Sequence, residues 1–201
     1  MITVALSKGR LLKSFLAFLE AQGLDAYRQA LENPDRALYV QVGPVRFLFA
    51  KASDVPTYVE NAVADLGITG LDRISEKRYD VLNVLELPFG RCRLSLAGPP
   101  GVEEFRRIAT SYDHLASQYF LNQRQEVQII HLSGSVELAP ILGLADGIVD
   151  IVDSGATLKM NGLIEYETIM TSTVCLVANK RTYYTKEDEI YEFMNQLGVI
   201  G

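Results

Sequence analysis

The sequence predicts an α/β protein built on parallel strands, and three observations carry that prediction. Short β-branched runs alternate with segments of helical apolar spacing. The turns between them fall repeatedly on Gly and Ser. The chain has 201 residues, 48% hydrophobic and 22% charged, enough to bury a core in one domain or two small ones. Residues 2–6 form the first β-branched run, and Leu12, Phe15, Leu16 and Leu19 then recur at helical spacing until Gly23 ends the segment. Residues 37–50 read as a hairpin, because two apolar, β-rich runs flank Gly43-Pro44. Ser53 and Asp54 are expected to cap a helix with Pro56 in its first turn, running on through Tyr58, Val59, Ala62 and Val63. Residues 65–70 follow as a strand ending in glycine. Residues 81–87 and 94–97 read as two strands separated by Pro88-Phe89-Gly90, where the chain is expected to enter a second lobe.

Beyond that point the rhythm resumes, with a strand at 107–109, a helix at 113–122, a strand at 127–131, a helix at 134–144 and a strand at 148–152. Residues 164–178 form a long extended segment. Thr185 and Asp188 have the spacing of a capping box, and the helix they open carries Ile190, Phe193, Met194 and Leu197 on one face. No repeat, low-complexity tract or Gly/Pro/Ser-rich linker interrupts the chain, so two lobes would be joined by short strand crossings, as in a hinged cleft. In parallel α/β sheets ligands bind beyond the carboxyl ends of strands, where loops meet helix amino termini.

Composition narrows the function classes. Lys plus Arg number 19 against 25 Asp plus Glu, a net charge of -6, so the broad basic field that nucleic-acid binding needs is not expected. No apolar stretch reaches the roughly 20 residues that cross a bilayer, so no membrane is expected either. The amino-terminal run has no basic region before it and no small-residue cleavage site after it, and reads as a strand, not a signal peptide. Cys92 and Cys175 lie far apart without a CxxC pair, which argues against a disulfide framework or a cysteine zinc site and points to a reducing, cytoplasmic compartment. His114 and His131 are too few for a histidine metal site, and no metal centre is expected. Walker, dinucleotide-binding, zincin and nucleophile-elbow motifs are all missing.

Three strand-to-helix junctions bear glycine. The sharpest is the run 147–158, where a buried strand carries Asp150 and Asp153 and then delivers Ser154, Gly155, Ala156 and Thr157 to a helix start. The hydroxyls donate, the glycine lets backbone amides approach, and the helix end favours an anion, which together make a phosphate cradle. The carboxylates do not suit phosphate but accept hydrogen bonds from vicinal hydroxyls, so the motif fits a phosphorylated ribose. An ordinary N-cap would use the same residues. At the second junction Lys8, Gly9 and Arg10 place two cations around a close-approach glycine, suited to a nucleotide triphosphate or simply to solvation. The third contains Ser133, Gly134, Ser135 and, in the first helical turn, Glu137. Lys51, Arg91 and Arg93 supply further cations or surface charge.

The runs Lys8-Gly9-Arg10, Ser53 to Tyr58, Ala64 to Gly70, Gly134 to Pro140 and Asp150 to Leu158, taken in order, resemble the catalytic subunit of ATP phosphoribosyltransferase across nearly the whole chain. The resemblance implies a fold like type II periplasmic binding proteins, with residues 1–90 and 171–201 in one α/β lobe, 91–170 in the other and a cleft between them. It implies transfer of the 5-phosphoribosyl group of 5-phosphoribosyl 1-diphosphate (PRPP) to N1 of ATP, with release of diphosphate and with magnesium carried on the substrates. Ser154, Gly155, Ala156 and Thr157 would hold the 5-phosphate, and Asp150 and Asp153 the ribose hydroxyls, Asp153 also facing the reacting carbon. Lys8, Gly9, Arg10, Lys51, Arg93, Ser135 and Glu137 would serve ATP and the leaving diphosphate, with Lys8 and Arg10 acting in catalysis. Family members often carry Glu-Thr-Gly where this chain has Asp153-Ser154-Gly155, which keeps the carboxylate and the hydroxyl. The length resembles the short form of the family, which works in a hetero-oligomer with a regulatory subunit related to histidyl-tRNA synthetase. Two other readings share parts of this pattern. A small-anion binding module would need no reaction, and a phosphoribosyltransferase acting on a free base would need no triphosphate site at Lys8-Gly9-Arg10.

Overall fold

The structure, a computed structural model, describes residues 1–200 and divides into two compact units. Unit 1 comprises Met1–Ile74, Arg78–Gly90 and the residues from Thr173 on; unit 2 comprises Ser75–Lys77 and Arg91–Ser172.

In unit 1 the strands β1 (Ile2–Ser7), β2 (Tyr39–Val42), β3 (Val45–Ala50), β4 (Leu66–Gly70) and β9 (Ile164–Asn179) lie in the order β2-β3-β1-β4-β9. β1 runs parallel to β3 and β4, while β2 and β9 are antiparallel to their neighbours. The period of two divides β1 between two cores. Val4 and Leu6 join Phe15, Leu19, Phe47 and Phe193, whereas Ala5 joins Val55, Val59, Cys175 and Val177. Helices α1 (Arg10–Ala21), α2 (Asp25–Glu32) and α9 (Glu187–Gln196) therefore cover one face, and α3 (Val55–Glu60) the other. The fully buried strands read as continuous apolar runs because both faces are covered.

Unit 2 repeats the plan with β5 (Val81–Gly98), β8 (Gly147–Val152), β6 (Arg107–Thr110) and β7 (Gln128–His131), in that order. β8, β6 and β7 are parallel, and β5 pairs antiparallel to β8 with Arg93 opposite Val152 and Ser95 opposite Asp150. One face packs Ile148 and Val152 with α6 (Leu138–Ile141) and α7 (Ala156–Met160); the other packs Val149 and Leu94 with α5 (Asp113–Asn122).

Several elements differ from the sequence expectation, each for a local reason. β5 is one strand, not two, since Gly90 takes the left-handed φ of 67° that lets the chain continue through Pro88-Phe89-Gly90. α2 was not anticipated; it buries only Tyr27 and Leu31, too thin a stripe to stand out among its charges. α4 (Leu71–Glu76) and α8 (Lys180–Thr185) are likewise additional short helices. α3 stops at Glu60, before Ala62 and Val63, because Ala62 turns to φ 56° and the Val63 and Ala64 amides fold back onto the Tyr58 carbonyl. Its expected Ser53-Asp54 cap does not form: Ser53 Oγ donates to Asp54 Oδ1, and the Lys51 carbonyl takes the amides of residues 54 and 55. The capping box also fails. Thr185 is the last residue of α8 and its hydroxyl returns to the Arg181 and Thr182 carbonyls, while Asn179 Oδ1 caps α8 by accepting from the Arg181 and Thr182 amides. The helix expected over 134–144 shrinks to α6, since Ser135 at φ 49° and Gly143 at φ 74° end it on either side.

Candidate active site

In unit 1, β1 delivers Lys8 and Gly9 to the start of α1, whose first residue is Arg10. Gly9 sits at φ 89°, no side chain caps the helix and its first turn holds no acid. The opening amides and the positive end of a twelve-residue helix are thus left to an anion. Lys8 Nζ donates to the Asp35 carbonyl at 2.6 Å and the Ala37 carbonyl at 3.1 Å, and stands 5.0 Å over the Phe49 ring. An ammonium has three donors, so one remains. Arg10 Nη1 donates to the Gly90 carbonyl at 3.3 Å. A cavity of about 400 Å³ opens beside these residues, lined by Ser7, Lys8, Leu38, Phe49 and Lys51 among others. Its volume suits a small molecule, and two ammonium groups beside an aromatic face suit one that is both anionic and planar.

In unit 2, β8 ends at Val152, and Asp153, Ser154, Gly155, Ala156 and Thr157 follow into α7. Gly155 is left-handed at φ 79°, a conformation a side chain would strain, and it turns the chain from strand to helix within three residues. Asp153, Ser154 and Thr157 are exposed. Ser154 Oγ accepts from the Ala156 amide at 3.3 Å, so this serine acts in part as the local cap. Asp150 lies on the β8 face that carries Ile148 and Val152, opposite Ser95.

Behind the turn lies an ion pair between two strands far apart in sequence. Arg93 of β5 donates from Nε to Glu165 Oε1 at 2.6 Å and from Nη2 to Glu165 Oε2 at 2.5 Å, a bidentate fork, and from Nη1 to the Asp153 carbonyl at 2.9 Å. Ser95 and Thr168 hydroxyls also donate to Glu165 Oε1, at 2.7 and 3.2 Å. These bonds, the one from Arg93 foremost, hold the Glu165 carboxyl down to about 2 against the opposing effect of burial. Because the folded value lies below the ordinary carboxylate value of 4.5, the pair contributes fully to stability above that pH and loses its contribution progressively as pH falls from there through about 2. Ser135 and Glu137 flank the start of α6, where neither side chain caps the helix. His131 Nδ1 meets Asp113 at 2.9 Å, and Glu76 accepts from the His114 and Leu115 amides, capping α5. Among the described residues no cluster of three or more His, Cys, Asp or Glu is placed to hold a metal ion, and no helix is long and apolar enough to cross a membrane.

The family model for ATP phosphoribosyltransferase matches residues 51–198. The ATP phosphoribosyltransferase of Staphylococcus saprophyticus is 46% identical over 199 residues, spanning 99% of this chain and 97% of that protein. This chain belongs to the ATP phosphoribosyltransferase family. The Staphylococcus carnosus phosphoribosyltransferase is 44% identical over 200 residues, covering 99% of this chain and 98% of that one. Among solved structures, the ATP phosphoribosyl transferase (HisG:HisZ) complex from Thermotoga maritima matches at TM-score 0.81 and 33% identity, covering 98% of this chain and 97% of that one. The periplasmic aliphatic sulphonate binding protein SsuA from Escherichia coli matches at TM-score 0.63 and 10% identity, over 98% of this chain and 70% of that one, a likeness of fold alone. The fold is thus of the periplasmic-binding-protein kind.

For a phosphoribosyltransferase of this family the residues singled out from sequence fall into three groups. Lys8, Gly9, Arg10 and Lys51 gather in unit 1, with Lys8 and Lys51 lining one cavity. Asp150, Asp153, Ser154, Gly155, Ala156, Thr157 and Arg93 gather in unit 2, with Arg93 turned onto Glu165 and the Asp153 backbone. Ser135 and Glu137, also of unit 2, lie in the turn that follows β7. Sequence reasoning missed Glu165, an acid near the start of a long strand with no motif around it, and Phe49, which its alternation marks only as a core residue.

Proposed function

We propose that this chain is the catalytic subunit of ATP phosphoribosyltransferase, which opens histidine biosynthesis by joining ATP to PRPP. The lone pair of adenine N1 attacks C1 of the ribose, the bond from C1 to the diphosphate oxygen breaks, and diphosphate leaves with the electron pair. N1 carries no proton, so no base has to act first. Catalysis then rests on holding nucleophile and carbon in line and on stabilising charge as it develops. Thr157 and the amides after Gly155 hold the 5-phosphate, Asp150 and Asp153 accept from the ribose hydroxyls, and Asp153 stabilises positive charge building on the ring. Lys8, Arg10 and Lys51 meet the triphosphate and the departing diphosphate. Magnesium carried on the substrates' phosphates would supply further neutralisation of the leaving diphosphate beside Lys8, Arg10 and Lys51.

The observation that carries this reading is the turn after β8, where a left-handed glycine and two exposed hydroxyl residues follow a strand bearing Asp150. Family membership over the whole chain supports the choice of ATP as acceptor over a free base. The partner is a regulatory subunit of the kind that accompanies the Thermotoga maritima relative, and the enzyme works in the cytoplasm. The test is to incubate the chain and its regulatory partner with ATP, PRPP and magnesium and to measure diphosphate and N1-(5-phosphoribosyl)-ATP. Both should form in equal amounts. Tight binding of both substrates without product would assign the fold to ligand capture instead.

A further inference from the structure

The Arg93 guanidinium spends three donors inside unit 2, two on Glu165 and one on the Asp153 carbonyl. Glu165 is itself held by the hydroxyls of Ser95 and Thr168, so four donors from β5 and β9 fix one carboxylate. Arg93 and Ser95 stand two apart on β5 and therefore share a face, opposite Val152 and Asp150 of β8. The base of the assembly is anchored in the sheet, and its tip reaches the first residue of the turn. An arginine paired this closely with a carboxylate brings little net charge to a phosphate, but its planar fork holds a fixed direction that a lysine would not.

We propose that Glu165 is a positioning residue for phosphoribosyl transfer: by gripping Arg93 it makes the arginine a strut for the Asp153 carbonyl and the turn behind it, not a ligand of ATP or diphosphate. This rests on the assignment of that turn to the 5-phosphate of PRPP. The strut sets the starting point of the turn, and with it the direction in which the Gly155 peptide and the Thr157 hydroxyl present their donors. Its removal relaxes the turn without touching the substrate.

The test compares Arg93→Ala, Glu165→Ala and the double variant in the full chain with its regulatory partner. Each single variant should raise KM for PRPP about tenfold, the effect of losing one charge-assisted hydrogen bond, while KM for ATP stays within about twofold. The double variant should be no worse than the poorer single one, because both remove the same strut. Added guanidinium ion should restore Arg93→Ala, whose carboxylate still waits for it, and fail to restore Arg93→Ala/Glu165→Ala. Losses that multiply in the double variant, or a Glu165→Ala enzyme with unchanged KM for PRPP, would overturn the proposal and return Arg93 to the substrate. Should the alanine variants fail to fold, Ser95→Ala removes a single hydrogen bond to Glu165 and should raise the same KM by a smaller factor; an unchanged KM also overturns the strut. Wild-type turnover and Thr157→Ala are measured alongside. An inactive wild type would take the activity assignment down with the strut, whereas an active wild type whose Thr157→Ala variant loses PRPP affinity isolates any failure to Glu165.

Discussion

Asp153 and Thr157 bracket the turn after β8, one contributing a carboxylate and the other a hydroxyl, and both are exposed. On the proposed assignment, replacing either would remove a bond to PRPP and leave Lys8, Arg10 and Lys51 of unit 1 unaltered. Asp153→Asn and Thr157→Ala should therefore weaken PRPP binding by roughly tenfold each, the cost of one hydrogen bond to a charged or strongly polar group. ATP binding, measured by equilibrium titration, should change much less, and an equal loss of both ligands would count against this placement. These residues were legible in the sequence because the feature is local: strand, serine, glycine and helix follow one another without a gap. Glu165 was not, since it acts on Arg93 across 72 positions and an acid near a strand start carries no mark of its partner. Arg93 was visible as a cation, but nothing in the sequence tells a phosphate ligand from a group already paired.

The elements were legible where apolar spacing was dense. β1, α1, the β2–β3 hairpin, α5 and the buried face of α9 follow from periodicity alone, since each pattern has one partner surface to satisfy. The junctions were less so, because polar residues at helix ends choose among several backbone groups. Ser53, Asp54 and Thr185 all carry capping chemistry and all spend it elsewhere. At this scale the packing of α3 on β4 offers a direct test. A methyl group at Gly67 would come within 2.7 Å of Val59 Cγ2 and 3.1 Å of Val55 Cγ1, both on α3. Gly67→Ala should therefore destabilise unit 1 by about 1–3 kcal/mol, the usual result of overfilling a close-packed contact. Denaturant titration measures this, and a trimming Val59→Ala should recover part of it; a neutral Gly67→Ala would mean that α3 shifts freely.

Across the whole molecule the alternation of strands and helices predicted the α/β class, and the two units each close a sheet between helices with a core on either face. The grouping of residues 75–77 with unit 2 carries no mark in the sequence, and β5 and β9 each belong to both units. The protein carries a formal charge of -6 and yet acts on polyanions, so attraction has to come from a few lysines and arginines held close to the ligand.

With Arg93 paired to Glu165, the turn after β8 offers a phosphate only amides and hydroxyls on the proposed assignment, whereas Lys8 and Lys51 are exposed cations in unit 1. Dissolved salt weakens the second kind of attraction far more than the first, because exposed charges are screened over about 10 Å at 0.1 M. Ribose 5-phosphate, used as a competitor of PRPP, should thus inhibit almost equally at low and high sodium chloride, while KM for ATP climbs. An inhibition constant that rises in step with KM for ATP would mean that an unpaired cation reaches the sugar phosphate after all.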